Sequence, residues 1–143
     1  PLYETEQDRK RESNAIARFA DRYTQFTIEA MPRHHRADYK AMQDDKVAAF
    51  IEVKTRTCSS DQYSTYTISK KKLDTLVEIA DNEGAVPVLL VQWTDQSGWI
   101  SINKYLANAK FKEGGRWDRR DPMDVEIMAE APINLFKFLS QEA

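Results

Sequence analysis

Apolar residues near the start of the chain recur at the spacing of one helical face. Ala15, Ile16 and Phe19 follow Glu12 at the third, fourth and seventh positions, and residues 4–20 contain neither Gly nor Pro. This pattern predicts an amphipathic helix over residues 4–20. Because Glu12 shares the apolar face, its carboxylate either points towards the core and needs a partner, or lies at the interface edge if the helix is rotated slightly.

Three strands are predicted after this helix. Residues 23–29 are rich in aromatic and β-branched side chains, residues 36–42 form a second candidate, and residues 47–55 form a third, more apolar one. The polar residues 43–46 between the second and third candidates are typical of a turn. We therefore expect these two strands to form an antiparallel hairpin.

Charged side chains share one face of the third predicted strand. Since side chains alternate along a strand, Ile51 and Val53 point one way, while Glu52, Lys54 and Arg56 point the other. A carboxylate and an ammonium group are therefore expected to meet on one surface of the sheet.

The second half of the chain predicts a helix between further strands. Residues 58–67 form a polar loop, Ser69 is a candidate N-cap, and Gly84 is the expected C-terminal stop of the helix. Residues 86–93 are nearly all apolar, which is typical of a strand covered on both faces, and residues 99–103 are predicted to add another strand.

The C-terminal part has weaker signals. A loop containing Gly114, Gly115 and Pro122 is expected after the last of these strands. Alternation around Ile127 and a short apolar segment over residues 133–139 follow it. We expect one domain spanning residues 1–143.

Composition narrows the classes of protein. With 143 residues, 41% hydrophobic and 31% charged, the chain fits a compact soluble domain with a core over about residues 10–103 and a C-terminal extension over residues 104–143. Residues 86–91 are the longest apolar stretch, too short to cross a membrane, and no secretory signal opens the chain. We expect a location in the cytoplasm of a bacterial, archaeal or phage-infected cell.

The single cysteine, Cys58, excludes an internal disulfide and does not favour a zinc site.

The formal net charge of -2 argues against a protein that coats nucleic acid through bulk positive charge. Basic residues are instead clustered, at residues 9–11, 33–36, 54–56, 70–72 and 116–120. An acidic total with basic clusters suits an enzyme whose carboxylates hold a cation while its rim binds phosphates. Solvated surface charge gives the same totals, so composition leaves both interpretations open.

The predicted hairpin brings two carboxylates and a lysine together. If the turn is centred on residues 44–45, antiparallel pairing places Asp38 opposite Glu52 to within about one residue. Two carboxylates beside Lys54 are suited to phosphodiester hydrolysis, in which a hard divalent cation neutralises charge on the phosphate and activates water. The alternative is an exposed cross-strand salt bridge, which contributes little.

Three short segments resemble the PD-(D/E)XK nuclease superfamily. They are Arg11-Glu12 in the first helix, Ala37-Asp38-Tyr39, and Ile51-Glu52-Val53-Lys54. Ala37 stands where the name of the motif has proline. The resemblance continues through Thr67-Ile68-Ser69, the following helix and the apolar strand over residues 86–91, in the order seen in archaeal Holliday junction resolvases and their phage relatives. It covers about residues 10–93.

This resemblance implies an α/β fold with a restriction-endonuclease-like core, in which a central mixed β-sheet is flanked by helices. It also implies that Mg²⁺ or Mn²⁺ is held by Asp38, Glu52 and the Val53 carbonyl. Lys54 and Glu12 would complete the catalytic site, Glu12 either as a metal ligand or through a metal-bound water.

Several residues around this site are candidates for DNA binding. Lysines in the first turn of a helix are disfavoured by the helix dipole, so a DNA phosphate at the Ser69 N-cap would explain them, although a solvated basic turn would look the same. Aromatic residues in the polar loop could stack on bases. The full set of candidates is Arg33, His34, His35, Arg36, Arg56, Tyr63, Tyr66, Ser69, Lys70, Lys71, Lys72, Arg116 and Arg119.

We therefore expect a Mg²⁺-dependent DNA endonuclease of a phage or mobile element. It would be site- or structure-specific, like a homing or restriction enzyme or a Holliday junction resolvase, and would act as a homodimer or higher homo-oligomer because two strands must be cut. Two alternatives remain: a non-catalytic DNA-binding protein that keeps the fold, and a repair-type exonuclease.

Overall fold

The computed structural model of the chain describes residues 6–114 and 126–139. Its helices are α1 (Glu6–Arg22), α2 (Lys70–Asn82) and α3 (Ile102–Ala107). Its strands are β1 (Thr27–Ala30), β2 (Tyr39–Gln43), β3 (Lys46–Thr55), β4 (Thr65–Ser69), β5 (Val86–Gln92), β6 (Ser97–Ser101), β7 (Lys110–Gly114), β8 (Glu126–Pro132) and β9 (Lys137–Leu139).

The strands of the described part of the chain form two sheets. The larger has six strands in the order β1-β2-β3-β5-β6-β9, and the smaller has three in the order β4-β8-β7. Only the β3–β5 pair of the described residues is parallel, because α2 provides the crossover between them. The predicted α/β class, with a central mixed sheet flanked by helices, is confirmed.

The two faces of the larger sheet carry separate cores. Ile51 and Val53 of β3 pack with α1 on one face, while Phe50 packs with α2 on the other. The alternation predicted for β3 is therefore confirmed, and it places Glu52 on the α2 face. No helix within residues 6–114 and 126–139 has the length and apolar character needed to cross a bilayer.

The β2–β3 hairpin has the turn that its sequence predicts. Asp44 and Asp45 have φ values of 53° and 63°, as a two-residue type I′ turn requires, and Gln43 pairs with Lys46. Aspartate tolerates this left-handed conformation better than most residues. The turn, together with a β-bulge between Ala41 and Met42 that shifts the pairing by one residue, sets the register of the strands that carry the candidate site.

Helix α2 also begins and ends where its sequence predicts. The Ser69 hydroxyl accepts a hydrogen bond from the Lys72 amide, so Ser69 is the N-cap. At the other end Gly84 has a φ of 65°, and the Ala85 amide donates to the Ala80 carbonyl. This is the Schellman arrangement that glycine favours.

We predict that Ser69→Ala lowers the free energy of unfolding by about 1 kcal/mol, because the hydroxyl cap is lost, and lowers the melting temperature by a few degrees. Thermal melts of the free protein measure this. Ser13→Ala in the exposed interior of α1 is the matched control and should be neutral or stabilising, since alanine is the better helix former there. Equal effects of both changes would contradict a capping role.

Several predicted boundaries were wrong. The strand predicted over residues 23–29 begins only at Thr27, because Tyr23 and Phe26 form a turn after α1 and pack on its core instead. The end of the predicted polar loop forms β4, and the loop predicted after residue 103 contains β7. Helix α3, capped by Ser101, replaces the end of the predicted strand over residues 99–103.

The C-terminal segment contributes directly to both sheets. Strand β9 pairs with β6 at the edge of the larger sheet, and β8 lies between β4 and β7 in the smaller one. Ile133 and Phe136 are buried in the core on the α2 face. The smaller sheet thereby closes one side of the cleft described below.

Candidate metal and catalytic site

Asp38 comes directly before β2 and lies beside Glu52 of β3, in the interior of the larger sheet. Tyr39, the first residue of β2, pairs with Ile51, and the Asp38 amide donates to the carbonyl of the same Ile51 at 2.9 Å. The Val53 amide donates to Asp38 Oδ2 at 2.8 Å. The Asp38 carboxylate is therefore held beside Glu52, as the hairpin register predicts.

Glu52 is the central residue of the site. Its side chain is buried, with 4% of the residue exposed, and Oε1 has no hydrogen-bond partner among the described residues. Oε2 lies 3.5 Å from Nζ of Lys54 and 3.4 Å from Nζ of Lys72. Burial, followed by the charge of Asp38, raises the pKa of Glu52, and the two lysines offset this only in part.

The two lysines differ in their electrostatic surroundings. Burial lowers the pKa of Lys54, and the adjacent Lys72 lowers it further, while Glu52 acts in the opposite direction. Burial also acts to lower the pKa of Lys72, but the charge of Glu52 opposes it and the net value is raised. The pair thus consists of a firmly charged Lys72 beside a less basic Lys54.

Glu12 lies at the edge of the α1 interface, where it is half-buried. Burial, then Asp38 and then Glu12, raise the pKa of Tyr39, so both carboxylates act on this one hydroxyl group. Of the two positions expected for Glu12, the structure therefore shows the one at the edge of the helix interface. Its charge is close enough to the Asp38 side of the site to affect Tyr39.

The preceding residue, Arg11, has a role that sequence reasoning did not assign. Its guanidinium donates to the carbonyls of Arg56 and Gln92, at the ends of β3 and β5. This contact fixes α1 against the strands that carry the site. The sequence signal was present, because Arg11 adjoins Glu12 in the segment that resembles the nuclease superfamily.

The donor atoms of this site suit a hard divalent cation. Within residues 6–114 and 126–139, no three His, Cys, Asp or Glu side chains are grouped closely enough to hold a metal ion by themselves. Asp38 and Glu52 provide two carboxylates, and Mg²⁺ usually takes one or two carboxylates and fills its remaining positions with water. The buried Oε1 of Glu52, lacking a hydrogen-bond partner, is what such a ligand position requires.

A cleft of about 520 Å³ opens beside Glu52, between β3, α2 and the smaller sheet. Five basic side chains line it: Arg36, Lys54, Arg56, Lys71 and Lys72. Ser69, at the N-terminus of α2, also lines the cleft. A concave site with this charge is complementary to a phosphate backbone.

The sequence profile of a family described as "Phage putative PDDEXK endonuclease" matches residues 1–139. The chain belongs to this PDDEXK family. Membership supports a nuclease and agrees with the superfamily resemblance of the Asp38, Glu52 and Lys54 segments. None of the curated protein sequences matches the chain.

The fold of this PDDEXK chain is similar to those of two solved structures. The Hjc Holliday junction resolvase of Archaeoglobus fulgidus has a TM-score of 0.55 and 11% identity, covering 87% of this chain and 86% of that one. The D212 nuclease of a fusselovirus has a TM-score of 0.50 and 15% identity, covering 91% and 82%. At these identities the likeness establishes the restriction-endonuclease-like fold alone.

The predicted DNA-binding residues before β2 occupy different positions relative to the cleft. Arg36 lines the cleft of the PDDEXK chain, whereas Arg33 and His34 are exposed outside it. His35 is partly buried: its Nδ1 accepts a hydrogen bond from the Ala37 amide at 3.0 Å, and its ring stacks on Phe50. His35 therefore has a packing role in this segment.

The two tyrosines predicted to stack on bases also differ. Tyr63 is 63% exposed and borders a second, smaller cavity of about 270 Å³. Tyr66 is 2% exposed, and Arg56 and Trp93 contact its ring. Tyr66 was predicted in a loop, but it lies in β4 within the core, so its ring cannot stack on a base. Its burial raises its pKa to about 12.

The remaining candidates lie in three different settings. Lys70 forms an ion pair with Asp74 at 2.7 Å and is not among the residues that line the cleft. The Arg56 guanidinium borders the cleft but donates to the Thr67 carbonyl at 3.0 Å, so it also joins β3 to β4. Arg116 and Arg119 lie outside the described residues.

Proposed function

We propose that this PDDEXK chain is a metal-dependent DNA endonuclease that binds Mg²⁺ or Mn²⁺ through Asp38, Glu52 and the Val53 carbonyl. The observation that carries the proposal is the buried Glu52 carboxylate beside Asp38: Oε1 has no hydrogen-bond partner among the described residues, and Oε2 contacts Lys54 and Lys72, which line the basic cleft. A purely structural residue at this position would be expected to satisfy both oxygens.

The bound cation would supply charge neutralisation at the phosphate and activation of water. The chain itself positions the reacting groups. The Val53 amide fixes one oxygen of Asp38, and Lys54 lies on the cleft side, where its Nζ orients the attacking water and stabilises the developing negative charge. Glu12 contributes its charge from the α1 side.

The substrate is proposed to be double-stranded or branched DNA of a phage or mobile element. The basic cleft is complementary to the phosphate backbone, and the family description supports endonucleolytic cutting. The structural likeness to a Holliday junction resolvase makes a four-way junction the first substrate to test. Because one cleft can cut one strand at a time, we propose that a homodimer makes paired cuts.

Cleavage assays test the function directly. We expect the protein to cut supercoiled plasmid or a synthetic four-way junction in Mg²⁺ or Mn²⁺ and to be inactive in EDTA, with activity restored by added Mg²⁺. Removing the cation should reduce the rate by at least about 1,000-fold, because a metal supplies several kcal/mol of transition-state stabilisation.

Each alternative gives its own result. An exonuclease would degrade linear duplex and leave closed circles intact. A DNA-binding protein without catalysis would shift both substrates in a gel and cut neither. Equal cutting of random linear duplex, plasmid and junction would contradict specificity for a site or structure.

A further inference from the structure

Three consecutive lysines at the start of α2 have three different surroundings. Lys70 pairs with Asp74 at 2.7 Å, and its Nζ lies 5.6 Å from the centre of the Phe111 ring. Lys71 lines the cleft with an exposed side chain. Lys72 reaches into the site, with Nζ 3.4 Å from Glu52 Oε2. Successive side chains on a helix point about 100° apart, so three consecutive lysines face three different directions.

Lys72 is the second ammonium group at the Glu52 carboxylate. Lys54 already lies 3.5 Å from the same carboxylate oxygen. Glu52 has only 5% of its side chain exposed, so the second ammonium group is brought to a desolvated carboxylate. There it adds positive charge to an oxygen that already has a cationic neighbour. Asp38 and Glu52 carry the two negative charges that the proposed divalent cation would neutralise, so the two ammonium groups would then be left to bind a further negative group.

We propose that Lys72 is a further catalytic residue, which contacts the scissile phosphate together with Lys54 and is distinct from the lysines that bind DNA generally. This inference rests on the proposed endonuclease function. The negative group it would meet is a non-bridging phosphate oxygen, since Lys72 and Lys54 both line the cleft beside Glu52.

In the hydrolytic step, a bond forms between the water oxygen and phosphorus, and the bond from phosphorus to the leaving sugar oxygen breaks. The leaving oxygen keeps the electron pair and is protonated from solvent, while the attacking water loses a proton to solvent. Lys72 retains its own protons throughout. Its contribution is the electrostatic stabilisation of charge on the phosphoryl oxygens, which is largest in the transition state.

Lys71 provides a matched comparison because it lines the same cleft from the same helical turn without a contact to Glu52 among the ion pairs of the described residues. Its charge should contribute to DNA binding in the ground state. Lys70, held by Asp74, should contribute to neither binding nor rate. The three positions therefore predict three different kinetic profiles.

The test compares Lys70→Met, Lys71→Met and Lys72→Met in the full chain. Single-turnover cleavage with saturating enzyme and Mg²⁺ reports the chemical step, and titrations of duplex DNA in EDTA at several salt concentrations report binding. We expect Lys72→Met to lower the cleavage rate by at least about 100-fold and to change the DNA Kd by no more than about threefold. Lys71→Met should weaken DNA binding and reduce the salt slope by about 1, with a much smaller loss of rate than Lys72→Met, and Lys70→Met should keep both rate and binding.

Thermal melts and Lys72→Arg separate catalysis from a structural ion pair. Arginine keeps the charge, so it should recover at least about tenfold of the rate lost in Lys72→Met if the charge acts on the phosphate. A Lys72→Met protein that cleaves at the wild-type rate, or that shares the Lys71→Met profile, overturns the inference while the wild-type activity keeps the proposed function intact. A large loss of thermal stability without rescue by arginine also overturns it. If the wild-type protein cuts no DNA, the proposed function fails first and this inference fails with it.

Discussion

Replacing Glu52 with glutamine is expected to reduce DNA cleavage by at least about 1,000-fold, because the variant lacks a carboxylate that the proposed metal site needs and would lose several kcal/mol of transition-state stabilisation with it. Glutamine keeps the size of the side chain, so the core around β3 is preserved. The measurement is the rate of plasmid or junction cleavage in Mg²⁺. Isothermal titration with Mn²⁺ should show a matching loss of metal affinity.

The same substitution is expected to leave the fold intact or to stabilise it. Burial and Asp38 raise the pKa of Glu52, which means that the folded protein disfavours its ionised form. A carboxyl group with a raised pKa costs stability above that pKa, so at neutral pH the uncharged glutamine removes this cost. Melts in EDTA should therefore show a melting temperature equal to or above that of the wild-type protein.

Glu78→Gln is the matched control, because Glu78 is an exposed residue of α2. It should keep both activity and stability. Normal DNA cleavage by the Glu52→Gln protein would contradict the proposed metal site. A strongly destabilised Glu52→Gln protein would instead show that Glu52 has a structural role.

Replacing Lys54 with methionine is the second large effect that we expect. Nζ of Lys54 contacts Glu52 and Lys54 lines the cleft, where in the proposed mechanism its charge and hydrogen bonds act on the attacking water and the phosphate. Loss of a group in this position typically reduces a rate by about 100-fold to 10,000-fold. Single-turnover cleavage at saturating enzyme should show a reduction within this range.

Binding measurements distinguish a catalytic Lys54 from one that only holds DNA. The Kd of Lys54→Met for duplex DNA in EDTA should change much less than its rate, because one phosphate contact among several is lost. Lys46→Met is the matched control, since Lys46 is exposed at the opposite end of β3. Equal losses of affinity and rate in Lys54→Met would contradict the proposed role.

The hairpin and its register could be predicted because their signals are local. Residues 44–45 determine the turn, and strict alternation along β3 determines which side chains share a face. These two facts place Asp38 beside Glu52 to within about one residue, while a β-bulge between Ala41 and Met42, which they do not predict, shifts the pairing by one residue. The N-cap at Ser69 and the glycine stop at Gly84 are local in the same way.

The surroundings of the site could not be predicted because they depend on distant pairing. Strand β4 is stabilised by β8, and Thr67 pairs with Glu130, far along the chain. A polar segment such as residues 58–67 has no strong strand signal until a partner strand covers it. This is why Tyr66 was expected in a loop, although it lies in the core.

The sequence by itself determined the class of fold and the acidic pair with its lysine, since helical and strand periodicity and turn chemistry act over a few residues. Only the tertiary structure decided which lysine of α2 reaches Glu52, that Arg11 joins α1 to β3 and β5, and that the smaller sheet forms one wall of the cleft. These contacts join residues far apart in the chain, and their geometry is determined by how the helices and the second sheet pack on the first.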